Sequence, residues 1–280
     1  MVLKIDDKID SILKQQATDL YLDKLVKHCH DRYPYLKEKT DHHQLKKILN
    51  SCLTITKEIG FNQEDTTRFY IDLIILFGIE FIHDPQYRWA KKILDNNQDF
   101  TEVTQAEELY FKAIPFLEVA YGKNLSKKNE ILKKLDDYLK SQSTNYVFSK
   151  VKSLLDKSAI KKQVITALNE IVQSKFQITE SEDFDNLFLF GIDRAQNHLF
   201  MNHPTEIATA IILMFIFGSH FDQDPFLSGE LMDNTQIAPK TIYYESTNCN
   251  SIYHRFCQQF PWLPSLIEMN INKPENQYDF

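Results

Sequence analysis

Residues of the kinds that bind metals or move protons gather in two parts of the sequence. The first holds His28, Cys29, His30, His42, His43 and Cys52. Imidazole and thiolate are the usual zinc ligands. No pair here has the i, i+4 spacing that puts two ligands on one side of a helix, and residues two apart point in different directions. No metal and no other cofactor is therefore expected. The second is the stretch HFDQD at 220–224, where His220 stands beside Asp222 and Asp224. A histidine with two carboxylates has the makings of acid–base chemistry. The matching stretch EFIHD at 80–84 keeps only its last aspartate, which points to helix caps at Asp84 and Asp224 rather than a shared catalytic acid. Asp72 and Glu80, carboxylates in an apolar run, are the remaining acid candidates, because burial would raise their pKa. The simpler place for Asp72 is a polar seam or an ion pair. No GxSxG elbow, Gly-rich phosphate loop, HExxH, calcium loop or kinase signature occurs, and 6 glycines leave little material for a phosphate cradle. No catalytic residue is assigned, and the chain is read as not an enzyme.

The same scarcity of glycine, with 9 prolines in 280 residues, leaves few turn signals for a many-stranded protein. At 43% hydrophobic content the chain can form a core, and the expected class is all-α. Ile5, Ile9, Ile12, Leu13, Ala17, Leu20, Leu25 and Cys29 read as one face of a first helix ended by Pro34. Asp41 with Gln44 predicts the cap of a second helix that closes at Gly60, and Asn62 with Asp65 the start of a third over about 63–82. Further helices are expected over Thr104 to Gly122, 126–140 and Ser158 to Phe176. After Met232 the pattern gives way to a loop with a short strand, a last helix over about Asn250 to Phe260, and a loose tail.

One pattern occurs twice. LFGIEFIHDPQYRWA at 76–90 is answered by IFGSHFDQDPFLSGE at 216–230, and ILNSCLTITKEI at 48–59 by LFLFGIDRAQNH at 187–198. Asp84-Pro85 and Asp224-Pro225 each mark a helix start, since Asp accepts from free N–H groups and Pro fits the first helical position. Gly78 and Gly218, placed inside apolar helices, are expected to let a neighbouring helix approach closely. Phe81 and Phe221 match, and Trp89 is expected to fold back onto the central helix.

The net charge of -7 argues against a general grip on nucleic acid and suits a basic partner. The start MVLKIDDKIDSILK lacks the uninterrupted apolar core of an export signal. The longest apolar run, IATAIILMFIFG at 207–218, falls short of the roughly 20 residues that cross a bilayer. Cys29, Cys52, Cys249 and Cys257 have no CxxC spacing and read as reduced thiols, consistent with the cytoplasm. Tyr87 and Arg88, and Tyr243 and Tyr244, group the residue types that anchor protein interfaces.

GFNQEDTTRFYIDLIILFGIEFIHDPQYRWAKKIL, 60–94, resembles a motif of small helical proteins encoded in bacterial type VI secretion clusters. Gly60, Phe69, Asp72, Leu73, Gly78, Phe81, Asp84, Pro85, Trp89 and Ala90 carry the likeness, while Arg88 stands where proline is common. The second copy lacks the Trp-Ala pair, having Gly229-Glu230. The resemblance implies genomic company with spike proteins, adaptors and toxins, and transfers no catalytic residue. The expected organisation is a duplicated helical module: 1–125 the first module, 126–150 a connecting amphipathic helix, 151–232 the second, and 233–280 a C-terminal loop, helix and tail. The expected function is capture of a cognate toxin as its immunity protein. A chaperone or adaptor that loads the toxin on the secretion spike is the second reading, and an enzyme using Asp72 or Glu80 the third.

Overall fold

The computed structural model describes residues 7–96, 100–142, 155–229, 256–257 and 259–271. All regular structure among them is helical. Helix α1, Asp7–Arg32, leads into α2, Pro34–Lys39, and α3, His42–Glu58; Pro34 thus ends one helix and begins the next. Then come α4, Glu64–Phe77, a 3₁₀ turn over Phe81–His83, a second over Pro85–Tyr87, and α5, Arg88–Asn96. Helix α6, Glu102–Tyr121, and α7, Lys128–Ser141, follow. Beyond them α8, Lys157–Ile171, α9, Gln173–Ile178, α10, Ser181–Asn197, and α11, Pro204–Phe217, lead to a 3₁₀ turn over Phe221–Gln223 and the short α12, Pro225–Ser228. The final helix, α13, is Trp262–Ile271.

Two runs of elements agree in order and length. Helices α2 and α9 have 6 residues each, α3 and α10 have 17 each, and α4 and α11 have 14 each, every pair about 140 positions apart. In both runs the apolar helix is followed by a three-residue 3₁₀ turn and an Asp-Pro start. Helix α11 is apolar all round and buried from Glu206 to Ile216, which makes it the centre of the molecule. It packs on α8 and α10, while α6 lies against α4, α5 and α9. No helix among the described residues is long and apolar enough to cross a membrane.

Several boundaries differ from expectation for physical reasons. Helix α4 ends at Phe77 rather than 82, and α11 ends at Phe217, each just before the glycine expected inside it, because Gly78 and Gly218 take positive φ values of 97 and 100 that break the helical path. The expected helix from Ser158 to Phe176 breaks at Val172, whose backbone is non-helical. The stretch expected as a loose tail begins inside α13. The possible strand after Met232 lies outside the described residues, as does most of the expected helix from Asn250.

Helix α1 carries two apolar faces, not one. Leu22, Leu25, Val26 and Cys29 are buried, whereas Ile9, Ile12, Leu13 and Leu20 are exposed. At 3.6 residues per turn the second group lies about half a turn away from the first, so it cannot reach the same core.

The start of α4 is capped from a distance. Asp65 takes no part: it pairs with Arg68 one turn on. Instead a Glu102 carboxylate oxygen at the start of α6 accepts from the N–H groups of Asn62 and Gln63, at 2.6 and 3.1 Å, and from the Thr66 hydroxyl at 2.8 Å. These bonds hold its pKa down despite some loss of solvation. Glu102→Ala is expected to cost about 1–2 kcal/mol, the cost of losing a helix cap, measured as a shift of the urea midpoint. An unchanged midpoint would mean that water replaces the carboxylate at no cost.

Candidate functional site

Two Asp-Pro joints meet back to back near the centre of the molecule. Phe77 and Phe217 end the two apolar helices, and Gly78 and Gly218 turn the chain there. The main chains touch: a Cβ on Gly78 would lie 2.7 Å from the Phe217 carbonyl oxygen, and one on Gly218 2.6 Å from that of Phe77. Each aspartate then caps its own helix and reaches across to the other joint. Asp84 Oδ1 accepts from the Gln86 N–H at 2.9 Å, and its Oδ2 from the Ser219 N–H at 2.7 Å. Asp224 Oδ1 accepts from the Phe226 N–H at 2.8 Å, and its Oδ2 from the Ile79 N–H at 3.1 Å. The exchange is reciprocal, and both carboxyls are buried. Burial raises both pKa values against the pull of these donors, that of Asp224 to about 6.

The two joints are flanked differently. Beside Asp84 lies Lys175 of α9, with 0% exposure. Its amine bonds the Tyr87 hydroxyl at 2.8 Å and the Phe215 carbonyl oxygen, and the rings of Tyr87, Tyr121 and Phe215 surround it. Burial lowers its pKa to about 7, more than Asp84 restores. Phe77, Tyr87, Trp89 and Phe116 pack edge to face around the same flank. Trp89 thus folds back on α4 as its position predicts. Beside Asp224 stand Lys39 of α2 and a cavity of about 80 Å³ that Asp224 itself lines.

An amine with a lowered pKa is a nucleophile or base when substrate can reach it. Lys175 is enclosed by Tyr87 and Phe215, and its place is that of a buried polar anchor. The sequence shows it only as a lysine between apolar Val172 and Phe176.

The other expected acids separate. Asp72 accepts from the Tyr33 hydroxyl at 2.9 Å and lies 2.9 Å from His28 Nε2, with Arg32 nearby. It therefore sits in the polar seam that its sequence suggests. Glu80 is exposed and off the helix, with φ of 62, so it is not the buried carboxylate of an apolar helix that its place in the sequence suggests. Asp222 accepts a two-pronged bond from Arg194 Nε and Nη2, an ion pair between the 3₁₀ turn over Phe221–Gln223 and α10 that its spacing does not reveal. His220 stacks near Phe190 and bonds Ser219, and burial lowers its pKa to about 4. Among the described residues no group of three ligands could hold a metal.

Of the residues offered to a partner, Tyr87 is buried and its hydroxyl is bonded to Lys175, so it cannot anchor an interface. Its aromatic ring completes the core. Arg88 turns back onto Glu182 and Asp183 at the start of α10. Tyr243 and Tyr244 lie outside the described residues. Sequence reasoning passed over a cleft of about 640 Å³ between α3, α4 and α5. Its walls include apolar Ile55, Ile59, Ile74 and Ile82 and the carboxylates of Glu58, Glu80, Asp95 and Glu102, with His83 and Lys91 beside them. No family model, curated protein or solved structure matches the chain.

Proposed function

We propose that this all-α chain acts by binding another protein, and that its partner is basic. The observation that supports this reading best is the cleft between α3, α4 and α5. It brings isoleucines together with four carboxylates, against one lysine and one histidine, in a chain of net charge -7. Apolar side chains supply burial, and an excess of charges of one sign raises the encounter rate with an oppositely charged partner. The likeness of 60–94 to helical proteins of type VI secretion clusters makes a toxin of such a locus the partner of choice. The chain would serve in the cytoplasm as its immunity protein, covering the active site or blocking a movement the toxin needs. The two matching runs of helices are read as a duplicated module that forms the scaffold. A chaperone that holds the toxin for loading on the spike is the second reading.

The test is co-expression with the toxin candidate encoded beside this gene, with host growth and recovery on a tag both measured. Growth rescue with a stable complex is expected, and Glu58→Lys with Glu80→Lys should abolish both while leaving the helical circular dichroism unchanged. A complex without rescue would favour the chaperone. Rescue untouched by the double charge reversal would place the partner elsewhere on the surface.

A further inference from the structure

The cleft between α3, α4 and α5 holds one buried polar group that its surroundings leave unanswered. Tyr70 of α4 lines it and is 1% exposed, its ring packed against Phe61 and Phe81 at centroid distances of 5.5 and 5.1 Å. The hydroxyl makes no hydrogen bond among the described residues. Burial, and after it the charge of Glu80, push its pKa up, so the hydroxyl is near enough to feel a carboxylate that lines the same cleft. A buried hydroxyl without a partner is costly, and a native chain keeps few of them.

The four carboxylates of the cleft are not equivalent. Glu102 is committed to the start of α4, and Asp95 pairs with Lys91 at 3.5 Å. Glu80 has His83 at 3.9 Å, and Glu58 makes no ion pair among the described residues. Glu58 is also the last residue of α3, so the negative end of that helix adds to its charge. The helical frame does not depend on these groups: in the matching run the places of Glu58, Tyr70 and Glu80 are taken by Asn197, Ala210 and His220.

We infer that the cleft receives an arginine side chain of the partner, its guanidinium among Glu58, Glu80 and the Tyr70 hydroxyl and its stem along the isoleucines. This rests on the reading of the cleft as the docking face. Acceptors from α3, from α4 and from the turn after it suit a planar group with five donors better than an ammonium with three. A guanidinium is also the more weakly hydrated of the two, and so the easier to bring against a buried ring. A volume of about 640 Å³ leaves room for the residues on either side of the arginine.

The probe is a blocked leucine–arginine–leucine tripeptide, with versions carrying lysine or citrulline at the centre, titrated by calorimetry into the full chain at neutral pH. Citrulline keeps the shape of arginine and carries no charge. The arginine peptide is expected to bind about tenfold more tightly than the citrulline one, the worth of one charge-assisted hydrogen bond, and more tightly than the lysine one. Tyr70→Phe should weaken arginine binding about three- to tenfold and leave the urea midpoint unchanged or raised, because the hydroxyl it removes has no partner in the free chain. Glu58→Gln, on an exposed side chain, should reduce the same preference without touching the core. Equal binding of the arginine peptide and either of the others, or arginine binding unchanged in both variants, would overturn the assignment. If Glu58→Lys with Glu80→Lys then still breaks the toxin complex, the cleft stays the docking face and only its arginine falls. Arginine-selective binding by a chain whose toxin complex ignores that reversal would keep the guanidinium site and overturn its place in docking.

Discussion

Gly78→Ala and Gly218→Ala are each expected to destabilise the protein by about 2–6 kcal/mol, through two causes that add. The first is local. At φ 97, ψ 159 and φ 100, ψ 152 both glycines occupy a region where any side chain costs about 1–3 kcal/mol. The second is steric: the new methyl would lie 2.7 or 2.6 Å from a main-chain carbonyl oxygen of the other joint. A flexible side chain could swing away, but a helix end cannot move without its helix, and overpacking of this kind costs about 1–3 kcal/mol. Moving it would also stretch the bonds from Ile79 and Ser219 to the two aspartates.

Because the glycines face each other, the double substitution should cost less than the sum of the singles. Once one methyl has parted the helix ends, the second enters space already opened. Urea midpoints for the four proteins give both quantities. Single losses under about 1 kcal/mol, adding without coupling, would show that the joints can separate freely and that the crossed aspartates do not tie the two runs together.

What the sequence makes legible divides along the range of the interactions. Each Asp-Pro start is readable because the aspartate accepts from an N–H two residues on and the proline sits beside it, so the evidence is local. The second bond of each carboxyl runs to a residue 145 or 135 positions away, and no spacing encodes it. The cap of α4 was misread for the same reason: Asp65 stands at a plausible place, but Glu102 performs the task from 39 and 40 positions beyond. The two glycines illustrate a partial reading. Close approach followed from their lack of a Cβ, yet their place in an apolar run hid the positive φ that ends each helix. Helix α1 misled because period alone does not say when a stripe changes sides; the step from Leu20 to Leu25 is the only trace. The candidate sites were harder still. The 640 Å³ cleft combines residues from Ile55 to Gln105 that no local motif unites, and Tyr87 beside Arg88 looked like an interface pair until its burial placed it in the core.

Lys175 is the residue least visible in the sequence, and it carries the largest expected effect of pH. Between pH 7 and 9 the protein should gain stability, and Lys175→Met should lose much of that gain. The cause is desolvation: burial lowers the folded pKa to about 7 from 10.5, with Asp84 restoring only part. In that interval the unfolded chain still binds the proton that the folded chain has released. Stability therefore rises with pH, by up to about 1.4 kcal/mol per unit for one group, until the unfolded amine also loses its proton near 10.5. Lys39 and Lys128, both lowered to about 8 by burial, act in the same direction over the upper part of the range. Asp224 acts in the opposite sense at lower pH. Its folded pKa is raised from 3.8 to about 6, so the folded state holds a proton that the unfolded state has released, and stability falls as pH rises through that interval. His220, lowered from 6.5 to about 4 by burial, opposes Asp224 over nearly the same interval, so the expected signal is the climb on the alkaline side. Methionine keeps the length and apolar body of lysine but has nothing to ionise, and replacing a buried charge by an apolar side chain of similar volume is often neutral or stabilising. Urea unfolding of both proteins at pH 6, 7, 8 and 9 makes the comparison. A smaller alkaline gain in Lys175→Met places the titrating amine at the joint; parallel curves would mean that Lys175 keeps its proton beside Asp84 and that the joint holds an ion pair at neutral pH.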